Sequence, residues 1–382
     1  MDLCSAYGRC GACSKLDIDY ENQLKEKEDK VLKIFENLKL SPKRYHGIIG
    51  SPEIYAYRNK MEYTFGNEAK DAPLIVGFRG RKKKFDVFYT PDCKLVDDDF
   101  NKIVVCTKEF FSSRDYTFRN YRKHTGYLRH LSVRKGINTN EILINIATDF
   151  TDENDGDIQL WAEELKNLKL NGKIVSILHS KTTSKGNVLK ADKLEVIFGD
   201  MFFHEKVLDL SFKVGPFSFF QTNTHGAEVL YSTAMKYVEN ADVAYDLYSG
   251  TGTIASLLSK YVKKVYAVEL VEEAVKMAKL NAEMNNINNV EFLCGDVKDK
   301  IKELPKPDFV VFDPPRAGLN PKVISFIKRQ SFKKIIYVSC NPETLAQDLK
   351  ALENFYSIED LHIVDMFPHT PHVESVCLLV KK

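Results

Sequence analysis

The chain has 382 residues, more than one domain usually needs and enough for two. With 44% hydrophobic and 28% charged residues, it is excluded from being a disordered tail, a collagen-like fibre or a small disulfide scaffold. Lys and Arg number 55 against 53 Asp and Glu, a net charge of +2, so a polyanionic partner must be met by a local patch. The opening Met1-Asp2-Leu3-Cys4-Ser5-Ala6-Tyr7 has no signal-peptide core. No window approaches the roughly 20 apolar residues of a membrane span. The expectation is a soluble, cytoplasmic monomer.

Cys4, Cys10 and Cys13 crowd the start of the chain, and Cys93 stands beside Pro91 and Asp92. In a reducing compartment such a set reads as metal ligands rather than disulfides. All-thiolate coordination suits zinc or an iron–sulfur cluster, and spacing does not decide between them. From Ile18 to Leu40, apolar Leu24, Val31, Leu32, Phe35 and Leu38 recur at helical spacing, and Ser41-Pro42 ends that helix. From about Ile48 to Val214 the period becomes two, as in Glu141–Ile146, Lys173–Leu178 and Leu194–Phe198. These runs predict antiparallel strands with one helix, around Ile158–Leu168.

From Asp242 onward, compact apolar runs alternate with helical patterns. The runs are Val243–Leu247, Val265–Val268, Val290–Leu293, Phe309–Phe312 and Ile335–Val338, which predict a parallel sheet covered on both faces. Two last strands, about Phe355–Phe367 and Val373–Val380, have no helix between them, so the final one is expected to enter antiparallel.

Chemistry-bearing residues gather at the ends of these runs. Asp246-Leu247-Tyr248-Ser249-Gly250-Thr251-Gly252 follows the first strand, and Glu269, 17 residues after Gly252, ends the second where an acid can accept both ribose hydroxyls. Asp313-Pro314-Pro315-Arg316 closes the fourth strand with a carboxylate and a rigid extended loop. Cys340 follows the fifth, and Asn341-Pro342 predicts a helix start that lowers the thiol's pKa. Glu374 begins the last strand, where a carboxylate can act as general base. His369 and His372, with no third ligand nearby, read as loop packing rather than a metal pair.

Taken together these residues resemble the RNA (uracil-C5)-methyltransferase family. The matching stretches are Phe219-Phe220-Gln221-Thr222-Asn223, the Asp246–Gly252 loop, Asp313–Arg316, Ser339-Cys340-Asn341-Pro342 and Asp365–Glu374. The resemblance implies a Cys340 nucleophile, a Glu374 base and S-adenosyl-L-methionine contacts at Gln221, Tyr248, Glu269 and Asp313. It further implies a [4Fe–4S] cluster on Cys4, Cys10, Cys13 and Cys93. The fold class it implies is α/β: a Rossmann-like, SAM-dependent methyltransferase domain after a β-rich α+β domain carrying the Cys4 site. Expected boundaries are a cluster segment at 1–16, a helix at 17–47 packing on the catalytic domain, a central RNA-binding domain at 48–211 and the catalytic domain at 212–382.

Two basic stretches suit RNA. One is Arg79, Arg81, Lys82, Lys83 and Lys84. The other is Arg114, Arg119, Arg122, Lys123, Arg129, Arg134 and Lys135, interleaved with Tyr116, Phe118, Tyr121 and Tyr127. Arg58-Asn59-Lys60 matches a family motif. Many members carry an oligonucleotide-binding barrel before the cluster, whereas this chain starts at the cluster. Shorter members of that layout include ribosomal RNA enzymes, so 23S rRNA is the expected target and tRNA the alternative. Rival readings are an amino-methyltransferase, which needs no cysteine nucleophile, and a non-catalytic iron–sulfur RNA-binding protein.

Overall fold

The computed structural model describes residues 3–82, 85–120, 123–150, 156–186 and 191–382. The chain divides into two compact units. One comprises Met1–Asp17, Ile54–Lys206 and Lys213–Phe217, the other Ile18–Glu53, Val207–Phe212 and Ser218–Lys382.

Helix α1 (Tyr20–Asn37) and strand β1 (Arg44–Ile49) come early in the chain but belong to the second unit. Asp19 caps α1 by accepting from the Glu21 N–H at 3.1 Å. Its buried residues, Gln23, Lys27, Val31 and Phe35, are spaced by four and form one stripe. Apolar spacing finds Val31 and Phe35. It does not find Gln23 and Lys27, which carry the stripe toward the N-terminus.

In the first unit, β2 (Lys60–Gly66), β3 (Ile75–Arg79), β4 (Val87–Tyr89), helix α2 (Asp98–Ser112), β5 (Leu128–Lys135) and β6 (Glu141–Asp149) follow in order. Helix α3 (Gly156–Lys166), β7 (Lys173–Thr182) and β8 (Lys193–Gly199) complete it. The seven strands lie in the order β4-β3-β2-β5-β6-β7-β8. Neighbours are antiparallel except β6 and β7, whose parallel pairing requires a crossover, supplied by α3. Helix α2 departs from the predicted elements. Its Ile103-Val104-Val105 run looks strand-like, yet Asp97 caps it and Phe100, Ile103, Val104, Thr107, Phe110 and Phe111 bury one helical face. The Trp161 Nε1–H on α3 donates to Thr107 Oγ1 at 3.1 Å and joins the two helices.

A short hairpin follows, β9 (Phe203–Val207) and β10 (Leu210–Val214). The second unit then runs α4 (Thr224–Met235), β11 (Ala241–Leu247), α5 (Thr253–Leu258), β12 (Val262–Glu269), α6 (Glu272–Met284) and β13 (Val290–Cys294). It continues with α7 (Val297–Lys300), β14 (Phe309–Phe312), α8 (Pro321–Gln330), β15 (Lys334–Ser339), α9 (Pro342–Leu352), β16 (Tyr356–Val364) and β17 (Glu374–Lys381). Its eight strands are ordered β1-β16-β17-β15-β14-β11-β12-β13. β11 to β15 are mutually parallel, and β17 is antiparallel to both β15 and β16, as the missing crossover predicts. Val31 and Phe35 of α1 pack in one core with Tyr245, Phe312, Tyr337, Leu345 and Leu349. Each such side chain contributes about 1.5–3 kcal/mol by leaving water.

Candidate active site

In an open parallel sheet, ligands bind beyond the strands' carboxyl ends, where the strand order reverses. Here β12 lies on one side of β11 and β14 on the other, so the reversal falls between β11 and β14. Tyr248 leaves β11, Glu269 ends β12, Asp313 leaves β14 and Cys340 leaves β15. Ser339 pairs with Ser375 across the antiparallel β15–β17 ladder. Cys340 and Glu374 adjoin that last pair, and the Glu374 charge acts on the Cys340 thiol. Topology alone therefore brings five of the six predicted catalytic and cofactor residues to one edge.

Local chemistry shapes the glycine loop. Tyr248, Gly250 and Gly252 all have positive φ, at 68°, 54° and 82°. A Cβ on Gly252 would stand 2.8 Å from the Phe292 ring, so that position is closed to other residues. The Gly250 N–H donates to Glu269 Oε2 at 3.0 Å and the Val271 N–H to Oε1 at 2.8 Å. Glu269 thus faces the loop through its backbone and keeps lone pairs for a further donor.

The crevice is acidic. Asp246 is fully buried, and among the described residues only the Ala255 N–H approaches its carboxylate, without forming a full hydrogen bond. Burial, then repulsion from Asp313, pushes its pKa up to about 8, and Glu269 adds to the effect against the lowering by the Ala255 N–H. Burial raises Asp313 to about 7. Glu374 is pushed well above the carboxylate range by burial first and by Asp313 second, with Arg316 opposing. Tyr231 on α4 is buried among them. Its hydroxyl is held up first by burial and then by Asp313, and it bonds the side chain of Gln221, with Glu374 and Asp246 also near. Gln221 is joined to the edge in this way. Asp246 and Tyr231 are the two residues that sequence reasoning passes over. Asp246 lies inside a motif whose glycines draw the attention, and Tyr231 sits in a helix with no motif.

Cys340 departs from expectation. Asn341 caps α9 by accepting from the Glu343 N–H at 3.2 Å, and Pro342 starts it, as the sequence indicates. Yet the thiol's pKa is raised to about 11, by burial first and then by Glu374 and Asp313, while Arg316 pulls it down. Two carboxylates and desolvation outweigh the helix end. At neutral pH the resting thiol is therefore held in its protonated form.

The first unit gathers the other cysteines. Cys10 bridges to Gly80, the Gly11 N–H donates to Arg79 O at 3.1 Å, and Ser5 donates to both Asp92 oxygens at 2.8 and 2.7 Å. This brings the Cys4–Cys13 segment beside Cys93. Burial pushes Cys13 up to about 12, and the Cys4, Cys93 and Cys10 thiolates add to it. Cys93 rises to about 12 from burial, with Cys10 and Cys4 contributing. Among the described residues no group of three or more His, Cys, Asp or Glu is arranged to hold a metal ion.

The second basic stretch needs correction. Arg119 and Lys135 are buried in ion pairs, with Asp149 at 2.6 Å and with Asp97 and Asp99. Arg129, fully buried, donates to the carbonyls of Thr182, Ser184 and Gly186, and Arg134 to those of Gly215 and Pro216. Tyr127 is buried and Tyr116 donates to Asp157. These cations and aromatics hold the β-rich unit together, so most of the stretch does not present charge to RNA. Phe118 and Arg114 are half-buried, Arg114 resting 3.6 Å over the Phe110 ring, and Lys123 is exposed. In the first stretch Arg81 and Lys82 are exposed. Lys83, Lys84, Tyr121 and Arg122 lie outside the described residues. Arg58 and Lys60 are half-buried, and Lys60 pairs with Glu62 at 2.7 Å. His369 is buried in its loop, and His372 Nδ1 lies 3.4 Å from Arg316 Nη1. Among the described residues no helix is long and apolar enough to cross a membrane.

A switch-point crevice with a glycine loop, an acid at the second strand's end and surplus carboxylates suits a cationic ligand carrying a ribose, and it defines a Rossmann-like, SAM-dependent methyltransferase. The chain belongs to the RNA uracil-C5 methyltransferase family: the family model described as tRNA (uracil-5-)-methyltransferase matches residues 19–299 and 300–382. It is 42% identical to an uncharacterized RNA methyltransferase of Clostridium tetani and 43% identical to one of Clostridium acetobutylicum, each over 99% of this chain and 84% of the relative. Among solved structures it is similar to the Pyrococcus abyssi tRNA (uracil-54, C5)-methyltransferase in complex with S-adenosyl-L-homocysteine. That match has TM-score 0.79 and 31% identity over 95% of this chain and 84% of the other. The protein is an RNA uracil-C5 methyltransferase that uses S-adenosyl-L-methionine.

Proposed function

We propose that the chain methylates carbon 5 of a uridine through a covalent adduct between Cys340 and carbon 6 of the base. The observation that carries this reading is the β15–β17 ladder, which ends at Ser339 opposite Ser375 and leaves the adjoining Cys340 and Glu374 close enough, with Asp313, to shift one another's ionisation. Carbon 5 of uracil is a poor nucleophile. Cys340 adds at carbon 6 as the thiolate, its proton having passed to solvent. The carbon 5–carbon 6 π pair moves into the enolate, and carbon 5 takes an electrophilic methyl whose former bonding pair stays on the sulfur it leaves. The Glu374 carboxylate then removes the carbon 5 proton, and the carbon–sulfur electron pair returns to Cys340 as the double bond re-forms.

Gln221, Tyr248, Glu269 and Asp313 would hold S-adenosyl-L-methionine, and the buried Asp246 carboxylate and raised Asp313 fit a ligand bearing positive charge. That ligand supplies an electrophilic methyl on a sulfonium centre. The residues would align this region.

Cys4, Cys10, Cys13 and Cys93 would hold a [4Fe–4S] cluster. Burial raises all four thiols, and neighbouring cysteines add to this at Cys10, Cys13 and Cys93, which fits a cationic group that takes one thiolate from each. Its role would be structural, since methyl transfer needs no electron. Protein purified without oxygen is expected to be brown with about four irons per chain. Stoichiometric zinc without visible absorbance would remove the assignment.

We place the enzyme in the cytoplasm, where such thiols stay reduced. For its target, 23S rRNA is one reading. A second reading, a tRNA uridine, is favoured by the likeness to the Pyrococcus abyssi enzyme, which acts on tRNA uracil-54. Mapping 5-methyluridine in both RNAs from a strain lacking the gene tests this. Loss of one 23S site supports the first, loss of a tRNA site the second, and no loss in either sinks both.

A further inference from the structure

The buried stripe of α1 turns polar where an ordinary packing helix would stay apolar. Gln23 is 0% exposed and Lys27 2% exposed, and both reach the loop between β16 and β17, more than 300 residues away in sequence. Lys27 Nζ donates to Asp365 Oδ1 at 2.7 Å and to the Phe367 carbonyl at 3.0 Å. Gln23 Oε1 accepts from the His369 N–H at 2.8 Å, and its Nε2 meets His369 Nδ1 at 3.0 Å. His369 has φ 63°, a left-handed conformation that a β-substituted residue keeps only when its surroundings impose it.

The loop has further anchors. The Asp365 N–H donates to Ile49 O at 2.8 Å, and Asn223 Nδ2, at the cap of α4, donates to Met366 O at 2.8 Å. At its far end the loop delivers Glu374, which pairs with Val364, the residue before Asp365. A helix that only covered the sheet would gain nothing from a buried charge, and replacing such ion pairs by apolar residues is often neutral or stabilising. Buried polar contacts of this kind fix one geometry.

We infer that Gln23 and Lys27 are positioning residues for the base: they fix the loop at 365–373 so that Glu374 stays beside Cys340. The inference rests on the reading of Glu374 as the base. Neither residue touches the nucleobase chemistry, so attack and methyl transfer should survive their loss, while proton removal should slow.

The test uses the full-length holoenzyme with RNA and methyl-labelled S-adenosylmethionine, in Gln23→Leu and Lys27→Met. We expect kcat to fall about tenfold to a hundredfold, as a slight misplacement of a catalytic group costs, with the KM for S-adenosylmethionine within about twofold. A labelled, RNase-sensitive protein–RNA adduct should accumulate on denaturing gels. Lys27→Met strands Asp365 and can fail to fold. Gln23→Leu keeps that ion pair and carries the test alone. A lowered melting temperature with normal kcat and no adduct overturns the inference. If Glu374→Gln accumulates adduct and Gln23→Leu does not, the inference fails and the base assignment stands. If Glu374→Gln gives no adduct, the base assignment fails and takes the inference with it.

Discussion

Glu374→Gln is expected to become a single-turnover trap: a methylated RNA held covalently on Cys340 and visible as a labelled, shifted, RNase-sensitive band. The substitution keeps the side chain's size and hydrogen bonding and removes its basicity. Attack at carbon 6 and methyl transfer precede the step that needs a base, so both should occur once. Multiple turnover should drop by about a hundredfold to ten-thousandfold, the usual share of a general base. Cys340→Ala should bind RNA and cofactor yet form no adduct, with turnover lower by at least about ten-thousandfold. In Glu374→Gln the Glu374 charge no longer raises the Cys340 thiol, but burial and Asp313 still hold it up, so adduct formation by Glu374→Gln should quicken with pH above neutrality. An adduct formed by Cys340→Ala would remove Cys340 as nucleophile. Near-normal turnover by Glu374→Gln would remove Glu374 as base.

The strands of the catalytic sheet were legible because each is a short apolar run followed by a polar or glycine-bearing turn. Val243–Leu247 and Phe309–Phe312 read as buried parallel strands without knowledge of their neighbours. Their chemical residues were legible too, since strand ends are where a parallel sheet places ligands. Three things were hidden. Helix α2 carries β-branched residues that packing overrides. Cys340's ionisation depends on Glu374 and Asp313, which approach only through the β15–β17 pairing and the strand order. Gln23 and Lys27 look like solvent-facing positions until the distant loop they bind is in place. In each case the deciding interaction is between residues far apart in sequence.

The Arg114–Lys135 stretch shows the same limit in the other direction. Basic and aromatic residues in alternation suggest an RNA surface, yet a strand presents half its residues inward, and β5 is buried along its whole length. Lys135 is the sharpest case. Its ammonium, 3% exposed, pairs with Asp97 and with Asp99 at 2.7 Å, and Asp99 also accepts from the Asn171 and Gly172 N–H groups at 2.7 and 2.8 Å. Burial pushes Asp99 up, but the Lys135 ammonium and those N–H groups bring its pKa below the usual value. A lowered carboxylate pKa contributes stability that is present above the unfolded value and lost as pH falls through the folded one. At neutral pH the pair is therefore fully formed. Lys135→Met leaves two carboxylates facing each other without a counter-charge, which should cost about 3–5 kcal/mol. For a unit of this size that lowers the melting temperature by roughly 6–20 °C. Below the transition, RNA affinity and its salt dependence should match the parent protein, because this cation meets no phosphate. Lys82→Glu, at an exposed position, should behave oppositely, flattening the salt dependence of RNA binding and leaving the melting temperature nearly unchanged. A Lys135→Met protein that melts like the parent but binds RNA weakly, with a shallower salt slope, would return this strand to the RNA surface.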